Sequence, residues 1–276
     1  MCEFCTKHGE GKIWYLKMEN YSKELLNLAN RKEFIKDLIL TFEEKMNYAV
    51  KKLENLNNSK LPISVKNFIK NIALRKQKKL HYGQIVPIED VEKLLEFTDK
   101  VTFLTCACRK VTRGKEKKYC FGLSVPPADI PEEILKKYPN SVESLEVLDK
   151  TEALKIIKEF DRKGLYHSVW TFKTPYIGGL CNCDMDCLAF RVRQYLNFPA
   201  FFKSEYVGSI DEDNCKGCRN CQKFCQFGAI NFSFYSRKCY INREICTGCG
   251  VCRNVCEQNA IKLEERRKIP QLSKNW

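Results

Sequence analysis

The chain has 276 residues, of which 44% are hydrophobic and 30% are charged, and 17 are cysteines. This length and composition predict a folded protein with a substantial core, in one large or two modest domains. No apolar run approaches the length of a membrane span, and the first residues lack the basic and apolar segments of a secretion signal. We therefore expect a cytoplasmic protein whose reduced thiols are available to metals.

The first residues carry two thiols and an imidazole at regular spacing, in Cys2, Cys5 and His8. These groups are three potential metal ligands, and a closed metal site needs a fourth. The segment is therefore either a chain end with incidental thiols or part of a site that distant residues complete.

Apolar residues recur every three or four positions over residues 20–57 and 64–80, which predicts two helices. Asn20 or Ser22 can cap the first helix. In the second helix we expect the apolar face to point into the core. That face consists of Val65, Phe68, Ile69 and Ile72. Pro87 is suited to open a short third helix.

The second helix is also the most basic segment, since no acidic residue lies between Ser59 and Ile88. A solvated helix face accounts for such a charge run. One alternative is a docking surface for an acidic redox partner. A nucleic-acid-binding surface is the other, and it ranks below the first because no base-reading motif accompanies the charge. The basic residues are Lys60, Lys66, Lys70, Arg75, Lys76, Lys78 and Lys79.

Strand patterns begin at residue 101. The β-branched and apolar residues 101–105 predict a strand that leads directly to Cys106 and Cys108. A basic loop is predicted over residues 109–118, and Cys120 follows it. Cys106 and Cys108 stand two residues apart at the end of this strand, where both thiols can reach one metal site.

Further strands are predicted over residues 145–148 and 165–172, with a helix between them over residues 152–163. Thr151 can cap this helix, and Gly164 stands where a residue of left-handed conformation usually ends one. This alternation predicts a mixed α/β region.

Another group of cysteines follows two glycines, and it consists of Cys181, Cys183 and Cys187. Three thiols within seven residues indicate metal binding rather than packing. Together with Cys106 and Cys108, and with Cys120 as a further candidate, they predict an additional iron–sulfur cluster. The alternative is one zinc site with four thiolates that ties the two segments together.

The last quarter of the chain contains an internal repeat. An offset of 31 residues aligns Gly217 with Gly248 and four cysteines with four others. The cysteines are Cys215, Cys218, Cys221 and Cys225, then Cys246, Cys249, Cys252 and Cys256. Three thiolates at every third residue converge on one cluster if the backbone between them is tight, which glycine permits. Zinc sites favour two separated CxxC pairs instead.

This segment resembles a bacterial-type two-cluster ferredoxin, in which the fourth cysteine of each copy ligates the other cluster. The resemblance implies two 4Fe-4S clusters, the first held by Cys215, Cys218, Cys221 and Cys256, and the second by Cys246, Cys249, Cys252 and Cys225. The family usually has proline after each fourth cysteine, whereas this chain has Gln226 and Glu257. This departure bears on the reduction potentials of the two clusters more than on whether the clusters are bound. More loosely, the stretches at Cys106 and Cys181 resemble parts of larger iron–sulfur proteins of anaerobes.

These features predict an α+β protein with a largely helical region at residues 1–98, a mixed α/β domain at 99–204, a dicluster ferredoxin domain at 205–264 and a tail at 265–276. The predicted function is electron transfer through the two C-terminal clusters to or from an upstream metal centre, as a component of a larger anaerobic redox system. The alternative is a reductase, for example of a sulfur compound, in which the upstream cluster is the catalytic site.

Overall fold

The computed structural model describes residues 13–98, 100–114, 117–123 and 146–273. The candidate ligands Cys2, Cys5 and His8 lie outside these residues. The fold is α+β, as predicted, with a small pseudo-symmetric module at its C-terminal end. Within the described residues, no helix is long and apolar enough to cross a membrane.

The N-terminal region contains α1 (Lys23–Asn27), α2 (Arg31–Leu40), α3 (Phe42–Asn58) and α4 (Ile63–Leu80). The prediction of one helix over residues 20–57 is wrong, because Ala29 and Asn30 adopt left-handed conformations with φ of 57° and 51°. The chain turns again between α2 and α3. Ser22 caps α1 as predicted, and its hydroxyl accepts the N–H of Leu25 at 3.1 Å.

The apolar face of α4 is exposed, so the prediction that it points inward is wrong. Phe68 and Ile72 on this face are 65% and 53% exposed. The buried residue of the helix is Lys70, whose ammonium group donates hydrogen bonds to the carbonyls of Leu196 and Asn197. Periodicity identified the helix correctly, but the helix packs through a different side.

Seven strands of the described chain form the main sheet, in the order β4-β2-β3-β6-β5-β1-β7. They are β1 (Gly83–Val86), β2 (Val101–Thr105), β3 (Lys118–Leu123), β4 (Glu146–Leu148), β5 (Tyr166–Thr171), β6 (Ile177–Cys183) and β7 (Phe201–Phe202). Only β1 and β7 pair in parallel; the other neighbours are antiparallel. The sheet thus takes strands from both sides of the boundary predicted at residue 98.

In the part of the chain that the structure describes, four helices accompany the sheet, namely α5 (Ile88–Leu95), α6 (Ala107–Arg113), α7 (Lys150–Arg162) and α8 (Leu188–Tyr195). Helix α6 replaces the first half of the predicted basic loop. The predicted cap of α7, Thr151, is also wrong, because Asp149 forms a reciprocal capping box with Glu152 that satisfies two backbone N–H groups. Gly164 follows α7 in the left-handed conformation, as predicted, with φ of 86°.

The two faces of the sheet bury different clusters, because side chains alternate along a strand. Helices α5 and α7 cover one face, where Val169 and Leu180 are fully buried. The other face buries Tyr166 and Cys183 in a second apolar cluster that also contains Phe227 of the C-terminal module. The strand cysteines at positions 120, 181 and 183 belong to this second face.

The C-terminal module consists of two interleaved copies of one unit. Its elements are β8 (Tyr206–Ile210), α9 (Asn220–Phe224), β9 (Ile230–Ser233), β10 (Lys238–Ile241), a 3₁₀ helix (Val251–Val255) and β11 (Ile261–Glu265). Strand β8 pairs with β11, and β9 pairs with β10. One backbone hydrogen bond occurs in both copies. Asp211 N donates to Ala260 O at 2.8 Å, and Asn242 N, the equivalent of Asp211 in the repeat, donates to Ala229 O at 2.7 Å.

Polar contacts fix the module to α5 and α7. Arg253 forms a bidentate ion pair with Glu89 at 2.5 and 2.9 Å. Asn254 donates to the Asp161 carboxylate at 2.7 Å. Gln226, which stands where the resembled ferredoxins have proline, donates its amide N–H to the carbonyl of Gly164.

Candidate metal centres

The eight cysteines of the repeat line two cavities. The first thiol cavity is lined by Cys215, Cys218, Cys221 and Cys256. The second thiol cavity is lined by Cys225, Cys246, Cys249 and Cys252. Each cavity therefore combines three thiols of one copy with the fourth thiol of the other, which is the grouping that the ferredoxin resemblance implies.

Two glycines make the cysteine loops tight enough for this convergence. Gly217 and Gly248 have φ of 67° and 72°, in the region that side chains disfavour. A Cβ atom on Gly248 would lie 1.9 Å from the Tyr206 carbonyl oxygen, and one on Gly217 would lie 2.1 Å from that of Arg237. The two contacts are again 31 residues apart. Both loops therefore require glycine.

Backbone N–H groups point at the sulfurs in these cavities. Ala229 N and Ala260 N lie 3.4 and 3.3 Å from the sulfurs of Cys225 and Cys256. Gly208 N lies 3.3 Å from Cys246 Sγ. Such donors stabilise negative charge on cluster sulfurs, so the thiols and their surroundings fit 4Fe-4S clusters. Sequence reasoning missed Gly208, whose one signal is that it stands inside a strand.

Cys239 is a buried residue of β10, and it lines the first thiol cavity as a fifth thiol. Burial, together with Cys239, raises the pKa of Cys221 to about 12. A thiol in this environment ionises when a metal cation compensates its charge. The offset of 31 residues aligns Cys239 with Gly208, so the two copies differ beside their clusters.

The upstream cysteines come from four elements that meet on one face of the sheet. Cys106 and Cys187 are the N-cap residues of α6 and α8. Cys120 on β3 pairs directly with Cys181 on β6. Cys183 ends β6, two residues further on and therefore on the same face. The sixth thiol, that of Cys108, comes from the first turn of α6.

These six thiols form a closed ring, in which each interacts with two others. The order around the thiol ring is Cys106, Cys108, Cys187, Cys183, Cys181, Cys120 and back to Cys106. Every upstream cysteine candidate within the described residues is a member. The structure thus brings together the five thiols on which the sequence prediction mainly relies, and it adds Cys120 to them.

A buried cation lies beside the thiol ring. Arg109 is 4% exposed, and its Nη1 atom lies 3.6 Å from Cys106 Sγ. The guanidinium group also pairs with Asp184 at 2.7 Å and stacks on the Tyr119 ring. Hydrogen bonds from Cys108 and Cys120, supported by Arg109, hold the pKa of Cys106 well below its usual value. The site therefore favours a thiolate at Cys106.

Tyr166 connects the thiol ring with the second thiol cavity. It is 1% exposed, lines that cavity and packs against Phe227 with ring centroids 5.0 Å apart. Burial and then the neighbouring thiols of Cys183 and Cys187 raise its pKa well above the usual value. Cys225 and Cys249 pack against the same apolar cluster as Cys183 and Cys187. The two groups of thiols are therefore adjacent.

Comparison with known families identifies the module. Residues 208–257 match a family described as a 4Fe-4S dicluster domain. No curated protein matches the chain. The matched residues include the cysteines of both cavities and none of the thiol ring. The match therefore indicates electron transfer through iron–sulfur clusters, and it does not assign the upstream centre.

Proposed function

We propose that the chain transfers electrons between an external redox protein and a third metal centre, held by the thiol ring, through two 4Fe-4S clusters in the C-terminal module. Each cluster supplies one-electron redox chemistry when bound. The observation that carries this proposal is the single apolar cluster shared by Tyr166, by Cys225 and Cys249 of the second thiol cavity, and by Cys183 and Cys187 of the thiol ring.

The ligands that we assign follow the two cavities. Cys215, Cys218, Cys221 and Cys256 hold the first cluster, and Cys246, Cys249, Cys252 and Cys225 hold the second. The N–H groups at Gly208, Ala229 and Ala260 stabilise sulfur charge, and apolar packing by Phe227 and Val251 excludes water. Both effects tune reduction potentials.

The thiol ring suits a further iron–sulfur centre for two reasons. It is built from thiols alone, and the buried guanidinium of Arg109 offsets the negative charge that such a centre adds. Zinc is the alternative metal for a site of this composition. Metal analysis therefore tests the proposal.

The experiment compares Cys183→Ala with the parent chain after anaerobic purification. Iron, acid-labile sulfide and zinc are measured per chain, together with the EPR spectrum of the reduced sample. We expect the variant to lose iron and sulfide while the EPR signals of the module persist, since Cys183 lies in the ring and outside both cavities. Loss of zinc at constant iron would contradict an upstream iron–sulfur centre.

We also propose that the external partner is an acidic protein that docks on α4. The helix exposes Lys76 and Lys79 beside its apolar face. Leu74 of α4 and Leu53 of α3 pack on the apolar cluster that contains Cys183. A partner on this surface would thus lie over the thiol-ring side of the sheet, and steering by positive charge would speed the encounter.

A further inference from the structure

The thiol ring contains more ligands than one cubane uses. A 4Fe-4S cluster takes four thiolates, whereas the ring has six. No member of the ring is set apart as a separate dithiol: Cys120 is the cross-strand partner of Cys181, and Cys108, Cys183 and Cys187 pack with Cys181 in one apolar cluster. A centre that employs all six thiols fits this arrangement better than one that leaves two idle.

The ring divides into two arcs of three thiols. One arc comes from residues 106–120 and the other from residues 181–187. Each arc contains a pair separated by a single residue and a third thiol from the adjoining element. The arcs meet at two places, where α6, which carries Cys108, contacts α8, which Cys187 caps, and where Cys120 on β3 is the cross-strand partner of Cys181 on β6. The protein thus presents two similar sets of three ligands that face each other.

Three thiolates per set match a particular cluster type. Each iron of a cubane needs one terminal ligand, so two separate cubanes would need about eight thiolates. If one iron of each cubane instead binds a sulfide shared between them, about six thiolates suffice, three for each cubane. The count and the division of the ring therefore agree with two cubanes joined through one sulfide.

We propose that the thiol ring holds one eight-iron cluster of this type, with Cys106, Cys108 and Cys120 on one half and Cys181, Cys183 and Cys187 on the other. The inference rests on the proposed function, in which this ring carries the third metal centre. Arg109 lies beside Cys106 and so supplies positive charge to the first half.

Iron and sulfide counts on the full chain, reconstituted anaerobically with iron and sulfide, separate the outcomes. The proposal expects about sixteen irons per chain, of which about eight belong to the module. About twelve irons would overturn the eight-iron cluster and leave the proposed function standing. About eight irons with bound zinc would overturn both, since the ring would then be a zinc site.

Replacement of each ring cysteine by alanine gives a second test, which does not depend on complete loading. All six variants should lose iron relative to the module, whose EPR signal in the same sample reports folding and serves as the internal standard. Two positions whose replacement leaves the iron content unchanged would show a single cubane and overturn the proposal. Val169→Ala is the control, because Val169 is fully buried in the same sheet but on the face opposite the ring, and it should retain the ring iron.

Discussion

At the residue scale, the conformation of Gly248 decides whether the second thiol cavity can form. The position combines a left-handed backbone with direct contact to the Tyr206 carbonyl. We expect Gly248→Ala to lower the free energy of unfolding by more than the roughly 1–2 kcal/mol of left-handed strain alone, because the backbone must also move. Iron content should fall with it. Denaturant unfolding and iron analysis of the anaerobic protein measure both effects.

Gly228 provides the matched control for this substitution. Its φ of 67° is also left-handed, but a Cβ atom there would have open space around it. Gly228→Ala should therefore lower stability by only about 1 kcal/mol and retain the iron. Equal effects of the two alanines would show that strain alone, rather than the contact with Tyr206, makes glycine necessary at position 248.

At the element scale, the exposed face of α4 gives the docking proposal a direct test. Reversal of the charges at Lys76 and Lys79, both exposed, should raise KM for an acidic electron donor at low salt, while kcat stays the same. The effect should shrink as salt is added, because exposed charges are screened. A steady-state electron-transfer assay over a salt series measures it.

Reversal of the charges at Lys32 and Lys155 makes the control. These lysines are also exposed, but they lie on α2 and α7, and α7 covers the opposite face of the sheet from the thiol ring. The control changes the net charge equally. If both double variants raise KM to the same extent, general attraction explains the result and α4 is not the docking surface.

Local sequence patterns predicted which segments form helices better than they predicted what those helices pack against. The repeat of cysteines and glycines is contained within about fifty residues, so the motif and the family resemblance that it carries predicted the ferredoxin-like module. By contrast, Phe68 lies on a helix whose periodicity favours burial, and its exposure depends on what packs nearby. The predicted cap Thr151 was wrong because the helix begins earlier in the chain. Asp149 caps it through a reciprocal pair of hydrogen bonds with Glu152.

At the scale of the whole molecule, the thiol ring depends on pairing between distant strands. Cys120 and Cys181 become neighbours only because β3 and β6 are adjacent in the sheet. Cys120 and Cys181 are far apart in the sequence, and no periodic pattern links them. The sequence could therefore predict the ring cysteines as candidates, but not their closed arrangement. The seating of the module by Gln226 and Arg253 is equally non-local.

That seating makes Tyr166 the packed residue between the second thiol cavity and the thiol ring. Tyr166→Leu should slow electron transfer between the module and the third centre severalfold, since the smaller side chain leaves the space between them poorly packed. Tyr166→Phe keeps the ring packing against Phe227 and should transfer electrons at nearly the parent rate. Rapid-freeze EPR after photoreduction measures the rate at which the third centre is reduced. Reduction potentials of the clusters, measured on the same variants, show whether the driving force has changed. Equal rates in the leucine variant at unchanged potentials would place the route elsewhere.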